Sequence, residues 1–394
     1  MLSVDEALTR VLDLISELPA ELVPLRQAAG RVLAAPVLAS RDQPPFAASA
    51  MDGYAIADVV PTAGAAYRLI GTSAAGHGFA GSVGAGEAVR ILTGAPVPRG
   101  AVRVVIQEDV AVAGSTVTLT GPPDPSLNIR EAGADFRVGQ GLAAPRRLSA
   151  ADLALIAAMN VPAVSVRRKP VVAMMATGDE LVMPGEVPRP DQIVASNAFA
   201  LAAMAEGAGA TVQLLPIAPD TTAGLRFALD MARTADLIVT IGGASVGDHD
   251  LVGQVAASMG MELAFHKIAM RPGKPLMAGR LGGVPLLGLP GNPVSAIVCG
   301  HLFLLPAIRA MQGLTDVAPV MHRATLAAPL AVNGPRAHYM RARVVQVDGF
   351  PQITAFDRQD SALLTILSAA NALLVRPIGD PARAVGEQVQ YLVV

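Results

Sequence analysis

Cysteine, aromatic residues and charge are all scarce in this sequence, and each shortage excludes a class of protein. The 394 residues include one cysteine and no tryptophan, 3% are aromatic and 16% are charged. A single cysteine, Cys299, excludes a disulfide framework and a multi-cysteine zinc site. The charged share is below the roughly 25% of an ordinary soluble protein. Because 52% of the residues are hydrophobic, we expect a large core built from Ala, Val and Leu rather than a disordered chain.

The charge balance bears on which partners the protein can have. Lys and Arg number 30 and Asp and Glu number 32, a net charge of -2, whereas non-specific nucleic-acid binding needs a basic footprint. The N-terminus carries acidic residues where a signal peptide needs positive charge. The longest apolar stretch, 293–308, is shorter than the roughly 20 residues of a membrane span. We therefore expect a soluble, cytoplasmic protein that has a small-molecule ligand or a protein partner, without a nucleic-acid or membrane partner.

The first part of the chain changes character near residue 45. Residues 1–40 have apolar residues at helical spacing, and Ser3 with Glu6 has the form of a capping box. From about 45 to 139, short β runs alternate with glycines, which indicates a small β-rich lobe. A further helix is predicted over 149–159.

From Lys169 to about 315, strands alternate with helices. The predicted elements are strands 171–176, 211–217, 237–241 and 262–268, a hairpin within 276–288, and helices 196–207, 221–233, 249–259 and 293–311. This alternation is the pattern of a doubly wound, mostly parallel sheet with helices on both faces. From about 316 to 394, short β runs return.

Glycine and polar residues follow several strands of this predicted sheet. Ligands of an open parallel sheet bind beyond the carboxyl ends of its strands, so we expect a site there. The residues at these ends are Thr177, Gly178, Asp179 and Glu180 after the first strand, Gly242, Gly243, Ala244, Ser245, Val246, Gly247 and Asp248 after strand 237–241, Arg271 and Lys274 after strand 262–268, and Pro290, Gly291, Asn292 and Pro293 after the hairpin.

The glycine loop 242–247 has a specific physical use. Glycines let the backbone approach a ligand closely, and the N-terminus of the following helix offers free N–H groups to an anion. A phosphate is the natural ligand, and a plain strand-to-helix turn is the alternative. The sequence lacks the Walker lysine pattern and a spaced G-x-G-x-x-G, which disfavours a nucleoside triphosphatase and a dinucleotide dehydrogenase.

Charged residues near these loops extend the phosphate hypothesis. Lys267, Arg271 and Lys274 lie within eight residues of sequence and would neutralise a phosphate, with a salt-bridged edge loop as the alternative. Carboxylates at strand ends beside a phosphate indicate Mg²⁺, which takes oxygen ligands. The candidate acids are Asp179, Glu180, Asp220, Asp248 and Asp250 in this block and Asp52 and Asp135 in the lobe.

Some of these residues also have a simpler structural interpretation. Asp220 can be the N-cap of the helix that begins at 221. Asn292 followed by Pro293 is typical of a helix start, which would still direct that N-terminus at a ligand. In the lobe, the segment Ser49–Ala55 carries the turn residues Asp52-Gly53 between apolar neighbours, which indicates a polar loop held by apolar anchors.

Nine short motifs follow one another along most of the chain. They are Pro44-Pro45-Phe46, Ser49–Ala55, Thr93–Pro96, Gln107–Asp109, Asn128–Arg130, Thr177–Leu181, Gly242–Gly247, Lys267 with Arg271–Pro275, and Leu289–Ser295. Together and in this order they resemble the molybdopterin molybdenumtransferase family, the molybdenum insertases related to MoeA and to the E domain of gephyrin.

The resemblance implies a multidomain fold, α/β plus β-rich, in an elongated homodimer. Its four domains would be a helical linking domain over 1–44 and 140–168, the β-rich lobe over 45–139, the doubly wound, three-layer molybdopterin-binding domain over 169–315, and a C-terminal β-barrel-like domain over 316–394. The active cleft would lie between the doubly wound domain of one subunit and the β-rich lobe of the other.

The activity that the resemblance implies is insertion of molybdenum from molybdate into adenylylated molybdopterin, with release of AMP and assistance by Mg²⁺. Lys267, Arg271 and Lys274 would hold oxyanions, and Glu180, Asp220 and Asp250 would bind Mg²⁺ or polarise the water that cleaves the phosphoanhydride. Asp52, Thr93 and Asp135 would contribute from the lobe. The residues implied to bind the substrate are Thr177, Gly178, Asp179, Gly242, Gly243, Ser245, Val246, Gly247, Asp248, Pro290, Gly291, Asn292, Pro293 and Ser295.

The chain departs from the family pattern at three positions, and two alternative functions remain. Ala134 replaces an acid beside Asp135, Ala244 replaces a commoner Val, and His266 stands where an aromatic is frequent.

A molybdopterin adenylyltransferase, the first alternative, shares the doubly wound domain. Such an enzyme is also the physical partner to consider. A non-catalytic scaffold of the same fold is the second alternative. The long lobe disfavours the first, and the density of intact motifs disfavours the second.

Overall fold

The computed structural model describes residues 1–243 and 251–394, which fall into two units. The larger, here called the α/β unit, comprises Met1–Glu21, Gly30–Ala34 and Val166–Val394. The smaller, here called the lobe unit, comprises Leu22–Ala29 and Ala35–Ser165. The finer division into four domains stays a prediction.

The N-terminal segment is helical only at its start. Helix α1 (Val4–Asp13) has the expected capping box, in which the Ser3 hydroxyl accepts from the Glu6 N–H and the Glu6 carboxylate accepts from the Ser3 N–H. The prediction that helix extends to residue 40 is wrong, because Pro19, Pro24 and Pro36 interrupt it. The segment instead forms short strands and a 3₁₀ turn: β1 (Ala20–Pro24), the turn Leu25–Gln27, β2 (Val32–Leu33) and β3 (Val37–Leu38).

The lobe unit is built on one six-stranded sheet, which confirms the β-rich prediction. The elements that follow are β4 (Ala48–Ser49), β5 (Gly53–Ile56), β6 (Ala66–Ser73), β7 (Glu87–Ile91), β8 (Arg103–Ile106), the 3₁₀ turn Gln107–Asp109, β9 (Val110–Ala113), β10 (Thr116–Leu119), β11 (Ile129–Arg130), β12 (Gly141–Leu142), β13 (Arg146–Arg147), α2 (Ala150–Ala158) and β14 (Ala163–Arg167). The sheet order is β8-β5-β7-β6-β10-β9. Tyr54, Tyr67, Val105 and Val117 pack in its core.

The α/β unit contains the doubly wound sheet that the alternation of strands and helices predicts. Its elements are β15 (Val171–Ala176), β16 (Leu181–Val182), β17 (Ile193–Val194), α3 (Asn197–Gly207), β18 (Thr211–Leu214), α4 (Thr222–Ala232), β19 (Leu237–Ile241), α5 (Leu251–Ser258), β20 (Glu262–His266), β21 (Met270–Arg271), β22 (Met277–Leu281), β23 (Val284–Leu289), α6 (Pro293–Cys299) and α7 (Leu305–Met311). In the order β18-β15-β19-β23-β22-β20, the first four strands are parallel and β22 is antiparallel to both neighbours.

Alternate residues of the buried strands reach two different cores. On β15, Met174 packs with residues of α3 and α6 on one face, whereas Met175 packs with residues of α4 and α5 on the other. This is the three-layer arrangement expected when both faces of a parallel sheet are covered by helices. Two predicted strands are shorter than expected: β18 stops before Pro216, and β20 stops before Lys267, whose φ is +74°.

The last helical stretch of this sheet is a core element. A π-helical turn over Gly300–Leu304 joins α6 to α7, so the helix runs from Pro293 to Met311. This stretch is long and apolar enough to cross a membrane, but 72% of its most apolar window is buried inside the protein. Cys299 is fully buried there, as its apolar neighbours predict.

The C-terminal strands close into a barrel. They are β24 (Met321–Leu326), β25 (Ala337–Val347), β26 (Phe350–Ala355), β27 (Ala372–Arg376) and β28 (Gln388–Val393), with α8 (Leu364–Ala369) before β27. The sheet runs β25-β26-β24-β28-β27, and β27 pairs with β25 again. Strand β21, which lies between β20 and β22 along the chain, belongs to this C-terminal sheet and pairs with the long strand β25.

Acid is expected to destabilise the α/β unit through two histidines, His338, which is buried, and His301, which is partly buried. Burial lowers the pKa of His301 to about 4, with a smaller effect from Arg309, and burial lowers the pKa of His338 to about 4, with nearby arginines contributing. The unfolded chain therefore binds more protons, so stability is full above about pH 6.5 and falls as pH drops towards 4. Each histidine accounts for on the order of 2–3 kcal/mol of that loss.

The measurement is urea unfolding at pH 7 and at pH 4.5. We expect the free energy of unfolding of His301→Gln to fall less between pH 7 and pH 4.5 than that of the wild type. His77→Gln alters an exposed histidine of the lobe unit and should show the wild-type fall. An equal fall in all three proteins would contradict a contribution from His301.

Candidate functional site

A cavity of about 570 Å³ opens at the carboxyl ends of the parallel strands of the α/β unit. It lies where the alternation of strands and helices predicts a ligand site. Predicted site residues line it from four separate loops: Thr177, Gly178 and Glu180, then Asp220, then Gly242 and Gly243, and finally Pro290, Gly291, Asn292, Pro293 and Ser295.

The floor of the cavity is backbone of the first and third of these loops. Gly242 and Gly243 have φ values of +94° and +62°, which L residues with side chains rarely adopt. A Cβ on Gly243 would lie 2.3 Å from the Val252 Cγ2 and 2.9 Å from the Thr177 hydroxyl. The glycines therefore bring the backbone close to Thr177, and a phosphate contact at this loop stays a prediction. The predicted residues Ser245, Val246, Gly247, Asp248 and Asp250 lie outside the described residues.

The Thr177 hydroxyl at this floor is buried and has no hydrogen-bond partner among the described residues. Thr177 is 4% exposed, and within residues 1–243 and 251–394 no group hydrogen-bonds to its hydroxyl. A buried hydroxyl without a partner is unfavourable by about 1–3 kcal/mol. A polar ligand in the cavity would satisfy it.

Carboxylates form the acidic side of the cavity. The Asp179 carboxylate does not line it but accepts a hydrogen bond from the Asp220 N–H at 3.0 Å and faces a second cavity of about 600 Å³. Burial, together with the charges of Asp179 and Glu180, raises the pKa of Asp220. Asp220 is not the N-cap of α4: the Thr221 hydroxyl accepts from the Gly224 N–H instead. The Asp220 side chain therefore does not cap the helix, and Asp220 lines the cavity.

Two helices begin at the opposite wall. Asn292 is the N-cap residue of α6, but its side chain makes no capping hydrogen bond, and the Val294 N–H donates to the Ser361 carbonyl at 3.0 Å. At the start of α3, the Asn197 amide donates to the Gly291 carbonyl at 2.6 Å. The two helix starts are therefore tied together beside the ligand space.

The basic residues are placed differently from the prediction. Lys267, Arg271 and Lys274 are not among the cavity-lining residues, although Pro275 is. The Lys267 N–H donates to the Leu276 carbonyl and the Ile268 N–H donates to the Lys274 carbonyl, so both lysines lie on one closed loop. This loop reaches the edge of the cavity through Pro275.

A buried arginine near Arg271 was missed by sequence reasoning. Arg341 is fully buried; its Nη2 donates to the carbonyls of Arg358 and Asp360, but its Nε and Nη1 have no partner among the described residues. Burial lowers the pKa of Arg341; the negative charge of Asp360 opposes this effect, and the charge of Arg271 adds to it. The signal in the sequence was a charged residue at an inward position of strand β25. Two unsatisfied N–H groups beside a second cation can hold an oxyanion.

In the lobe unit, the structure brings Asp52 and Thr93 together. The backbone N–H and the hydroxyl of Thr93 both donate to the Asp52 Oδ1 at 2.7 Å. These bonds lower the pKa of Asp52, and the charge of Arg90 lowers it further. Asp135 lies in a different, exposed loop, where its N–H donates to the Gln43 carbonyl.

The residues present fit a magnesium ion only in part. Within the described ranges, which omit 244–250, no group of three or more His, Cys, Asp or Glu is arranged to hold a metal ion. Glu180 and Asp220 nevertheless share the cavity. Burial first, and then the charges of Asp179 and Glu180, raise the pKa of Asp220, and a cation would relieve the repulsion between these carboxylates. Mg²⁺ commonly takes one or two carboxylates and completes its shell with substrate phosphates and water.

Comparison with known proteins covers nearly the whole chain. The MoeA N-terminal region (domain I and II) matches residues 2–160, a probable molybdopterin binding domain matches 173–310, and the MoeA C-terminal region (domain IV) matches 323–394. A molybdopterin molybdenumtransferase of Nostoc sp. is 36% identical over 389 residues, which are 96% of this chain and 89% of that protein. The chain belongs to the molybdopterin molybdenumtransferase family.

Other members of the molybdopterin molybdenumtransferase family agree with this assignment. The Haemophilus influenzae relative is 35% identical over 79% of this chain and 78% of its own length. The crystal structure of a molybdopterin biosynthesis MoeA protein from Pyrococcus horikoshii OT3 covers 100% of both chains with a TM-score of 0.84 and 28% identity. As a family member, the protein is a transferase of molybdenum cofactor biosynthesis, and the adenylyltransferase and scaffold alternatives are not favoured.

Proposed function

We propose that this protein inserts molybdenum from molybdate into adenylylated molybdopterin and releases AMP with the help of Mg²⁺. The observation that carries the proposal is the cavity at the strand ends, where a buried, unpartnered Thr177 hydroxyl faces the same space as Glu180 and Asp220. Such a cavity suits a substrate that combines phosphates with a polar ring system. Further residues that are predicted to bind the substrate line the same cavity and support the proposal: Gly242, Gly243, Pro290, Gly291, Asn292, Pro293 and Ser295.

Glu180 and Asp220 are the residues that would hold Mg²⁺ in this cavity. The ion supplies charge neutralisation to a phosphoanhydride and orients it. The protein's own part is to bind the phosphates through backbone at Gly242 and Gly243 and to exclude bulk water. Whichever of Glu180 and Asp220 does not bind the ion can accept the proton of the water that attacks the anhydride, so that AMP leaves as the phosphate monoester. Asp250 stays a proposed ligand from outside the described residues.

Molybdate needs a cationic subsite, and the basic loop is the candidate. Arg271 lies close enough to Arg341 to lower its pKa, and the spare N–H groups of Arg341 are buried donors. Lys267 and Lys274 share the loop that carries Arg271. We propose that this group holds the tetrahedral oxyanion, and that Asp52, Thr93 and Asp135 act on the substrate from the lobe.

The test is release of AMP from adenylylated molybdopterin by the purified protein with Mg²⁺, with and without molybdate. We expect AMP release to depend on molybdate and to yield active molybdenum cofactor. AMP release at the same rate with and without molybdate would overturn the insertase proposal. Formation of adenylylated molybdopterin from ATP would assign the adenylyltransferase activity instead.

The cellular setting belongs to the same proposal. We propose a cytoplasmic homodimer that receives its adenylylated substrate from a molybdopterin adenylyltransferase. Sedimentation analysis of the purified chain should give the mass of two copies, that is, twice 40.2 kDa. A single 40.2 kDa species at micromolar concentration would contradict the dimer.

Thr177→Val is expected to separate binding from stability. Valine fills the same space without the unpartnered hydroxyl, so the free energy of unfolding should stay level or rise by up to about 1 kcal/mol. The ligand loses a hydrogen bond to a buried donor, so kcat/KM for adenylylated molybdopterin should fall about tenfold.

Thr240→Val is the matched control for this variant. The Thr240 hydroxyl is equally buried and without a partner in the described part of the chain, but Thr240 lies inside β19 and does not line the cavity. It should gain stability in the same way and keep wild-type kcat/KM. Equal losses of kcat/KM in both variants would argue against a ligand contact at Thr177.

A further inference from the structure

The loop that carries Asp52 is held by hydrogen bonds to several other segments, although it lies at the surface of the lobe unit. The Ser49 hydroxyl donates to the Met51 carbonyl at 2.6 Å, and the Ala50 N–H donates to the Asn128 carbonyl at 2.8 Å. Surface loops do not need such restraint for stability, and rigid support of one side chain is the usual sign of a group that must be aimed.

Asp52 itself is held at both its backbone and its side chain. The Gln107 N–H donates to the Asp52 carbonyl at 3.1 Å, and Thr93 donates two hydrogen bonds to the Asp52 Oδ1. No group in residues 1–243 or 251–394 donates to the Oδ2 of Asp52. One carboxylate oxygen is therefore used for orientation, and the other has a fixed direction and remains available.

One side chain connects the restraints on both sides of Asp52. The Arg90 Nη1 donates to the Gly53 carbonyl at 3.2 Å, and its Nη2 donates to the Gln107 Oε1 at 2.7 Å. Its guanidinium carbon lies 5.0 Å from the centre of the Tyr54 ring, a cation–π distance. Arg90 thus ties the residue after Asp52 to the residue that holds the Asp52 carbonyl.

We propose that Arg90 is a positioning residue for Asp52, acting through Gln107 and Gly53 to aim the free carboxylate oxygen at the substrate. The inference rests on the proposed function for its kinetic consequence, but its structural part stands without it. Among the described residues, Arg90 makes no direct hydrogen bond to Asp52, so its effect on Asp52 passes through Gly53 and Gln107.

The charge of Arg90 has a second effect that can be measured separately. It is the one charged side chain that contributes to the lowered pKa of Asp52, after the two hydrogen bonds from Thr93. Removing the charge should raise that pKa and move the acid limb of the pH profile of kcat/KM to higher pH. A lysine at this position keeps the charge but cannot make the forked contact to Gly53 and Gln107.

The experiment compares Arg90→Gln and Arg90→Lys with Arg68→Gln as the matched control. Arg68 lies on the same sheet, is 69% exposed in its side chain and pairs with Glu87. We expect both Arg90 variants to lose kcat by about tenfold or more, with KM for adenylylated molybdopterin within about threefold of wild type. Only Arg90→Gln should also shift the acid limb, and Arg68→Gln should behave as wild type.

A readout without substrate keeps the inference separate from the proposed reaction. Hydrogen exchange of the Thr93 amide, followed by NMR, reports its bond to Asp52. We expect faster exchange in both Arg90 variants and wild-type exchange in Arg68→Gln. Unchanged Thr93 exchange in Arg90→Gln would overturn the inference whether or not the wild type turns over. If the wild type shows no molybdate-dependent AMP release but Thr93 exchange responds as stated, the proposed function fails and the positioning role stands.

Discussion

Gly53→Ala is expected to unfold the sheet of the lobe unit around β5 and to abolish activity with it. A Cβ at this position would lie 2.0 Å from the Val105 carbonyl oxygen and 2.9 Å from its carbonyl carbon. The obstacle is backbone of the neighbouring strand β8, which cannot move aside as a flexible side chain can. Strand β5 pairs with both β7 and β8, so relief in one direction breaks pairing in another. We expect a loss of about 3 kcal/mol or more in the free energy of unfolding.

Gly121→Ala serves as the control for Gly53→Ala in the same unit. A Cβ on Gly121 would meet nothing within 4 Å, so its stability should stay within about 0.5 kcal/mol of wild type. Calorimetry gives the size of the change, and hydrogen exchange by mass spectrometry should locate it in peptides of residues 45–139. A Gly53→Ala protein as stable as Gly121→Ala would show that β5 and β8 are not packed as described.

Asp52→Ala is expected to remove activity without removing the fold. Asp52 lies at the surface, and among residues 1–243 and 251–394 only Thr93 donates hydrogen bonds to its side chain, so Tm should stay within about 2 °C of wild type. Loss of a fixed charge aimed at a reacting group typically lowers kcat by about 10²–10³. The measurement is molybdate-dependent AMP release, with Tm recorded on the same preparation.

Asp52→Asn separates charge from geometry at this position. Asparagine keeps an oxygen that accepts from the Thr93 N–H and hydroxyl, but it carries no charge. We expect its kcat to fall as far as that of Asp52→Ala. Wild-type turnover in Asp52→Asn would mean that the oxygen acceptor alone matters, and wild-type turnover in both variants would reduce the loop to a structural feature.

Most of the fold was accessible from local pattern because periodicity and turn residues act over a few residues. Strand β15 matches its predicted range, α3 and α4 differ from theirs by one or two residues, and Ser3 caps the helix that it was expected to cap. Two of the predicted elements differ from the structure because of nearby prolines. Three prolines end the helical pattern after α1, and Pro216 stops β18.

The candidate site was only partly accessible in the same way. The carboxyl-end rule placed Thr177, Glu180 and Gly242 at one cavity because strand direction follows from alternation alone. It could not distinguish Asp179 from Glu180, adjacent residues of which only Glu180 lines that cavity. Nor could it find Arg341, whose importance depends on which of its N–H groups other segments satisfy.

Sequence by itself determined the fold class, the order of the elements, the glycine-lined strand ends and the family to which the chain is similar. These depend on residue types and spacings, which are properties of short stretches. Only the tertiary structure decided which oxygen of Asp52 is used for orientation, that Arg90 connects Gly53 to Gln107, and that the Thr177 hydroxyl has no partner in the described part of the chain. Hydrogen-bond satisfaction is a property of residues distant in sequence and adjacent in space, so no local pattern can contain it.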